Sequence, residues 1–301
     1  MPPLRPIIAR ARGHRHGPIN RLISPDDLGD RLKPFIFLDF FDAEIEPGFG
    51  FGMHPHSGIA TLTWQPGTDV RYSDTTGQNG VLKAGGLEWM NAGGGAWHQG
   101  SLMGSGRVTG FQLWVAMPPG VEDGPSFGQY VPPEDVAQAP IPGGTLRVLL
   151  GEIATDAERL ASPITSHQDM TYMVVTLSPG SRWTFTPPAA HSTAFAFVFS
   201  GEARVQGEPG NASLMVLGDT GDIVVETTDH SAEVLVGTAA PHPHPLVMGP
   251  SSVHTNQASL DAAMTRIRAI GSTLRRLPHV GSALFDTRVS VRNRAGGLCP
   301  P

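Results

Sequence analysis

Short apolar runs separated by turn residues make up most of the chain. Pro34–Phe41 reads as a buried strand. From Met53 to Met117 the runs Ile59–Trp64, Val70–Tyr72, Gly80–Leu82, Leu87–Met90 and Phe111–Ala116 follow one another. Pro66-Gly67 and Thr76–Gly80 supply turn chemistry between them. The rhythm resumes at Leu146–Leu150 and continues through Met170–Leu177, Arg182–Phe185, Ala194–Phe199, Ala203–Gln206, Ser213–Leu217, Ile223–Glu226 and Ala232–Val236. Met117–Gly144, rich in Pro, Gly and acids, reads as the connection between the two sets. A single segment has helical spacing. In Leu260–Ile270 the apolar positions are Leu260, Ala263, Met264, Ile267 and Ile270, and Gly271 stands where a C-terminal cap is expected.

The two halves echo each other. His56 is followed by a strand pattern and then Gly67; His191 is followed by a strand pattern and then Gly201. Ala84–Leu87 is answered by Asp219–Ile223. A weak repeat of a small barrel explains this rhythm. The expected class is all-β: two antiparallel, jelly-roll-type barrels, one over residues 1–142 and one over 143–301, the second carrying the helix and tail.

Composition narrows the picture. At 301 residues the chain exceeds what one core usually organises. Its 40% hydrophobic and 16% charged content suits a buried-core protein. The net charge of −6 argues against direct nucleic-acid binding, which needs clustered Lys and Arg. The arginines near Arg10–Arg15 and Arg275–Arg276 read as solvated termini. Cys299 is the one cysteine, so no disulfide can form within the chain. The N-terminus lacks the apolar core of a signal peptide, and no apolar run reaches membrane-spanning length. These features lead us to expect a soluble cytoplasmic protein, monomeric or homodimeric, whose partner is a small-molecule substrate or another protein.

Candidate chemistry sits at the histidines. His54-Pro55-His56 puts two imidazoles two residues apart, on one face if the segment is a strand. His98 follows the glycine-dense stretch Asn91–Trp97, so a third strand could bring a third imidazole beside them. Neutral imidazole suits Fe, Zn, Cu and Ni, and three such ligands leave coordination positions open.

The run His54–Trp64, then Tyr72-Ser73-Asp74, then Gly85–Gly95 and His98, resembles the N-terminal domain of the pirin family. Phe111–Val115, Arg147–Glu152 and Pro245–Met248 extend the resemblance over roughly Gly17 to Gly271. It implies a bicupin of the cupin superfamily whose N-terminal barrel holds iron through three His and one Glu. Some members of that family show quercetin dioxygenase activity, and the animal protein is a transcriptional cofactor. Residue by residue, the metal ligands implied are His54, His56 and His98. The fourth does not carry over, because Gly100 stands at the family's Glu position. Ala60 stands where the family has a second carboxylate, which leads us to expect that both acids near the metal are lost. Glu88 occupies a position where the resemblance implies Gln, and nothing in the sequence places it near the metal.

The resemblance therefore implies one divalent metal, Fe(II) first, with Zn, Ni or Cu as alternatives, or an empty site because of Gly100. Two functions stay open: a metal-dependent dioxygenase on a flavonoid-like or other small aromatic substrate, and a non-catalytic regulator. Elsewhere, His191 stands alone, and the prolines flanking His242-Pro243-His244 make it a rigid loop. Trp89, Trp97 and Trp114 are expected in the core or pocket wall, with Trp97 at the mouth. Gly93-Gly94-Gly95 lacks the GK[ST] ending of a phosphate loop. Phe195, Phe197 and Phe199 are expected to fill the second barrel, leaving it apolar and metal-free.

Overall fold

A computed structural model describes residues 3–155, 159–210 and 213–276. Cys299 lies outside them. Two copies of one arrangement build the fold. In the first, a seven-stranded sheet runs Phe127–Val131, Leu87–Asn91, Ile59–Trp64, Gly106–Ala116, Phe35–Ile45, Ile19–Ile23 and His14–His16. A four-stranded sheet faces it, in the order Gly50–His56, Ala96–Leu102, Val70–Asp74 and Asn79–Leu82. The second copy also joins a seven-stranded and a four-stranded sheet, with Thr193–Gly201, Ala232–Ala239 and Met170–Leu177 central to the larger one. The ladders within both are antiparallel, giving two cupin-type barrels and one long helix, Gln257–Leu274.

Strand alternation decides what each residue faces. Ala60, Leu62 and Trp64 join Leu113 and Val115 in a core that also includes Tyr172, Phe195, Phe197 and Leu235, so the two large sheets pack back to back. This corrects the expected role of the phenylalanines: they seal the junction between the barrels. Their alternates Ala194, Ala196 and Val198 point into the second barrel, which Met173, Met215 and Val225 help to fill. Ala60 likewise faces the junction, so that position does not bear on the histidine pocket.

Two further expectations are refined. Arg10, Arg12 and Arg15 are exposed as expected, but the arm that carries them is not a loose end: Ile7–Ala11 pairs with Leu214–Leu217 of the second large sheet. Beside it, Arg5, 2% exposed, donates to the carbonyls of His191, Gly218 and Gly221. The segment Met117–Gly144 is more than a connection, since Phe127–Val131 pairs with Leu87–Asn91 and Gln138–Ile141 with Gly144–Leu150.

The helix extends three residues earlier and four later than its apolar pattern suggested. Asn256 caps it by accepting from the Ser259 backbone N–H. Gly271 lies inside the helix and does not cap it. A Cβ at Gly271 would stand 2.6 Å from Trp97 Cζ2, so the glycine admits the indole ring against the helix backbone. Trp97 Nε1 donates to the Ile267 carbonyl at 3.1 Å. Trp97 is therefore the anchor of the helix and does not line the pocket mouth, while its neighbour His98 points the other way, into the barrel.

Candidate metal centre

His54 and His56 end the strand Gly50–His56, and His98 lies on the adjacent strand Ala96–Leu102, directly opposite His54. With both strands extended and antiparallel, all three rings project from one face. The ring centroids are 4.5 Å apart for His54 and His98, 4.9 Å for His54 and His56, and 5.1 Å for His56 and His98. One nitrogen from each lies within 4.8 Å of the others. The three sequence-predicted ligands are brought together.

Each Nδ1 meets an acceptor. His54 Nδ1 donates to the Gly52 carbonyl at 2.7 Å, and His56 Nδ1 to the Ser251 carbonyl at 2.8 Å. His98 Nδ1 donates to Glu88 Oε1 at 3.0 Å. A carbonyl or carboxylate only accepts, so these partners assign the proton of each neutral ring to Nδ1. The Nε2 lone pairs are then free, and those of His54 and His98 face each other at 3.1 Å. Two ligands held about 2.1 Å from an ion at a right angle stand about 3.0 Å apart, so His54 and His98 match two adjacent positions around one ion, with the His56 nitrogen within 4.8 Å of both.

Burial and neighbouring charge keep His54 and His56 in their ligating form. Burial, reinforced by the neighbouring His98, lowers His54 to about 3. His56 is pushed well below its ordinary value, first by burial and then by His54 and His98. Neutral imidazoles at ordinary pH need lose no proton before binding a cation.

Glu88 is the residue the sequence did not place. It lies on Leu87–Asn91 in the opposite large sheet, 4% exposed, and its side chain crosses the lumen to His98. The signal available was alternation: Leu87 and Trp89 face the junction between barrels, which turns Glu88 inward. A carboxylate on the far nitrogen of a ligating imidazole fixes the ring and raises its basicity.

Gly100 offers no side chain, in keeping with the sequence. A Cβ there would meet only Val70 Cγ1, at 3.5 Å. Trp114 forms part of the wall, its ring 5.0 Å from His56 and stacked on Phe37 at 4.1 Å. Phe51, 57% exposed, lies 6.4 Å from His54 on the outer side.

The C-terminal hairpin closes the other side. Ser251 supplies its carbonyl from a left-handed backbone conformation, φ 55°, which a non-glycine residue adopts only at a cost. Ser57 and Ser252 are bridged, and Ser57 Oγ donates to Ser252 Oγ at 2.9 Å. Gly58, at φ 73°, lets the Val253 carbonyl approach to where a Cβ would stand at 2.0 Å.

His191 and the pair His242 and His244 lie apart from this trio. His191 is held between Thr238 Oγ1 and Asp169 Oδ1, each at 2.8 Å, and His242 packs with His244 near Lys33.

The Pirin family model matches residues 18–115. A pirin-like protein of Caulobacter vibrioides is 30% identical over 217 residues, covering 68% of this chain and 73% of that protein. The chain belongs to the pirin family. A second pirin-like protein of the same organism is 29% identical over 86% of this chain and 96% of its own length. A Pseudomonas aeruginosa relative, 28% identical, covers 79% of this chain and 86% of its own, and is named a candidate quercetin 2,3-dioxygenase. Among solved structures, a quercetin 2,3-dioxygenase from Acinetobacter baumannii superposes with a TM-score of 0.79 at 24% identity, over 89% of this chain and 98% of that one. A bacterial pirin from Escherichia coli in complex with nickel(II) gives a TM-score of 0.58 at 21% identity, over 80% and 100%. These structures share the fold. Among the described residues, no helix is long and apolar enough to cross a membrane.

Proposed function

We propose that this pirin holds one Fe(II) ion on His54, His56 and His98 and acts as a dioxygenase on a small aromatic, flavonoid-like substrate. The observation that supports this is the orientation of the three rings, each with Nδ1 engaged and Nε2 turned to a shared point. The name of the Pseudomonas relative supports the substrate class. When bound, iron supplies open coordination positions and redox chemistry that no side chain offers.

The protein's part is to hold and shield. Gly52, Ser251 and Glu88 keep a proton on each Nδ1. Glu88 places negative charge one ring away from the cation, offsetting part of what Gly100 does not supply. Trp114 gives an apolar wall, and Phe51 gives an aromatic surface beside His54 where a flat ring could stack.

Gly100 favours a second reading, a non-catalytic regulator, because it leaves the cation with no carboxylate ligand. Anaerobic Fe(II) reconstitution followed by oxygen uptake with quercetin separates the two. Stoichiometric iron and substrate-dependent oxygen uptake, both lost in His56→Ala, are expected. Iron-loaded protein without oxygen uptake on any flavonol would favour the regulator.

A further inference from the structure

A second group of ligating side chains lies outside the three-histidine pocket. His254, 2% exposed, meets Ser57 Oγ through Nε2 at 3.0 Å, while its Nδ1 is buried without a hydrogen-bond partner. That nitrogen faces Glu122 Oε2 and Asp123 Oδ1, each 3.7 Å away. Glu122 is 1% exposed, and the Asp123 side chain is 47% exposed.

Neither protonation state of His254 accounts for this arrangement. A proton on Nδ1 would draw a carboxylate in to about 2.7–2.9 Å, and 3.7 Å is too long. Without that proton, a buried lone pair faces two carboxylate oxygens and gains no hydrogen bond from either. Burial also holds His254 below its ordinary value, despite the opposing pull of both acids.

A cation resolves the conflict. Donors about 2.0–2.2 Å from zinc, at tetrahedral to trigonal angles, stand about 3.3–3.8 Å apart. We propose that Glu122, Asp123 and His254 form a second divalent-cation site, of the size and donor type that takes zinc, with water entering beside Asp123. One nitrogen and two carboxylates suit a transition cation better than calcium, which takes six to eight oxygens.

The site joins distant parts of the chain. Glu122 also accepts from the Thr255 backbone N–H and Oγ1, and Asp123 Oδ2 accepts from Ser259 Oγ in the first turn of the helix. A bound ion would fasten the helix start to the first barrel. Through Ser57 it would also stiffen the loop next to His56.

The test uses full-length, metal-stripped protein and zinc alone, titrated against a chromophoric chelator. The His56→Ala variant, which lacks the pocket described above, is expected to keep one equivalent of zinc and to melt higher with zinc than without. Adding Asp123→Asn or His254→Gln should weaken that equivalent by about tenfold or more and abolish the rise in melting temperature. Asp123 is half exposed, so its variant keeps the fold even if His254→Gln does not. In the otherwise native chain, Asp123→Asn should lower total tight zinc from two equivalents to one. The proposal fails if His56→Ala retains no tight zinc, or if Asp123→Asn leaves zinc affinity unchanged. Loss of zinc at His54, His56 and His98 alone would count against the first site and leave the second standing.

Discussion

Glu88 Oε1 accepts the Nδ1 proton of His98 at 3.0 Å, with both residues almost fully buried. The pair spans the barrel from one sheet to the other and supplies a carboxylate beside the three-histidine pocket.

Glu88→Gln keeps an acceptor at the same place and removes only its charge. We expect affinity for Fe(II) or zinc at His54, His56 and His98 to fall on the order of tenfold, with the melting temperature of the metal-free protein nearly unchanged. Chelator competition checks the first quantity and thermal melting the second. Unchanged affinity would reduce Glu88 to a packing partner.

Gly100→Glu should be tolerated. Its backbone is outside the left-handed region, and a Cβ meets only Val70 Cγ1, at 3.5 Å. If the missing ligand limits binding, iron affinity rises by about tenfold or more, and oxygen uptake with quercetin increases in step. Tighter iron without faster uptake would locate the limitation in substrate binding.

Gly271→Ala reverses an ordinary rule. In an exposed helix interior this change gains roughly 1 kcal/mol. Here the new methyl would press on the Trp97 ring, and we expect a net loss of about 1–3 kcal/mol, read by urea denaturation. In a Trp97→Ala background the same substitution should become stabilising, which makes the double-mutant cycle decisive.

The metal-free protein should lose stability as pH falls. His54, lowered to about 3, and His56, held well below its ordinary value by burial, stay neutral in the folded chain, whereas the unfolded chain takes up protons near pH 6.5. Below that value the unfolded state binds more protons, so unfolding is favoured progressively from about pH 6.5 down toward about pH 3. Urea midpoints at pH 7.5 and pH 5 measure the slope. Replacing His54 and His56 together by Gln should flatten it, and a pH-independent midpoint in the parent would refute the assignment.

The sequence alone determined the class of fold and the three histidines. Period-two patterning needs only local information, and the short runs of Ile59–Trp64 and Phe111–Ala116 carried it. The H-x-H pair and His98 were legible because their residue types are few and the family motif surrounds them. Facing was harder, since alternation states that two sets of side chains oppose each other without saying which set meets which neighbour. The pattern therefore puts Phe195 and Phe197 in a lumen when they seal the junction between barrels, and the family motif puts Ala60 at the pocket when it faces that same junction. The role of Gly271 was hidden for a similar reason: a glycine at a helix end and a glycine under an indole ring look alike in sequence. Alternation turns Glu88 inward, but its partner, like those of Ser251 and His254, became visible only in three dimensions. Each meets its partner through a sheet crossing or through a hairpin almost two hundred residues away, and such contacts are set by the packing of whole barrels, which no local pattern encodes.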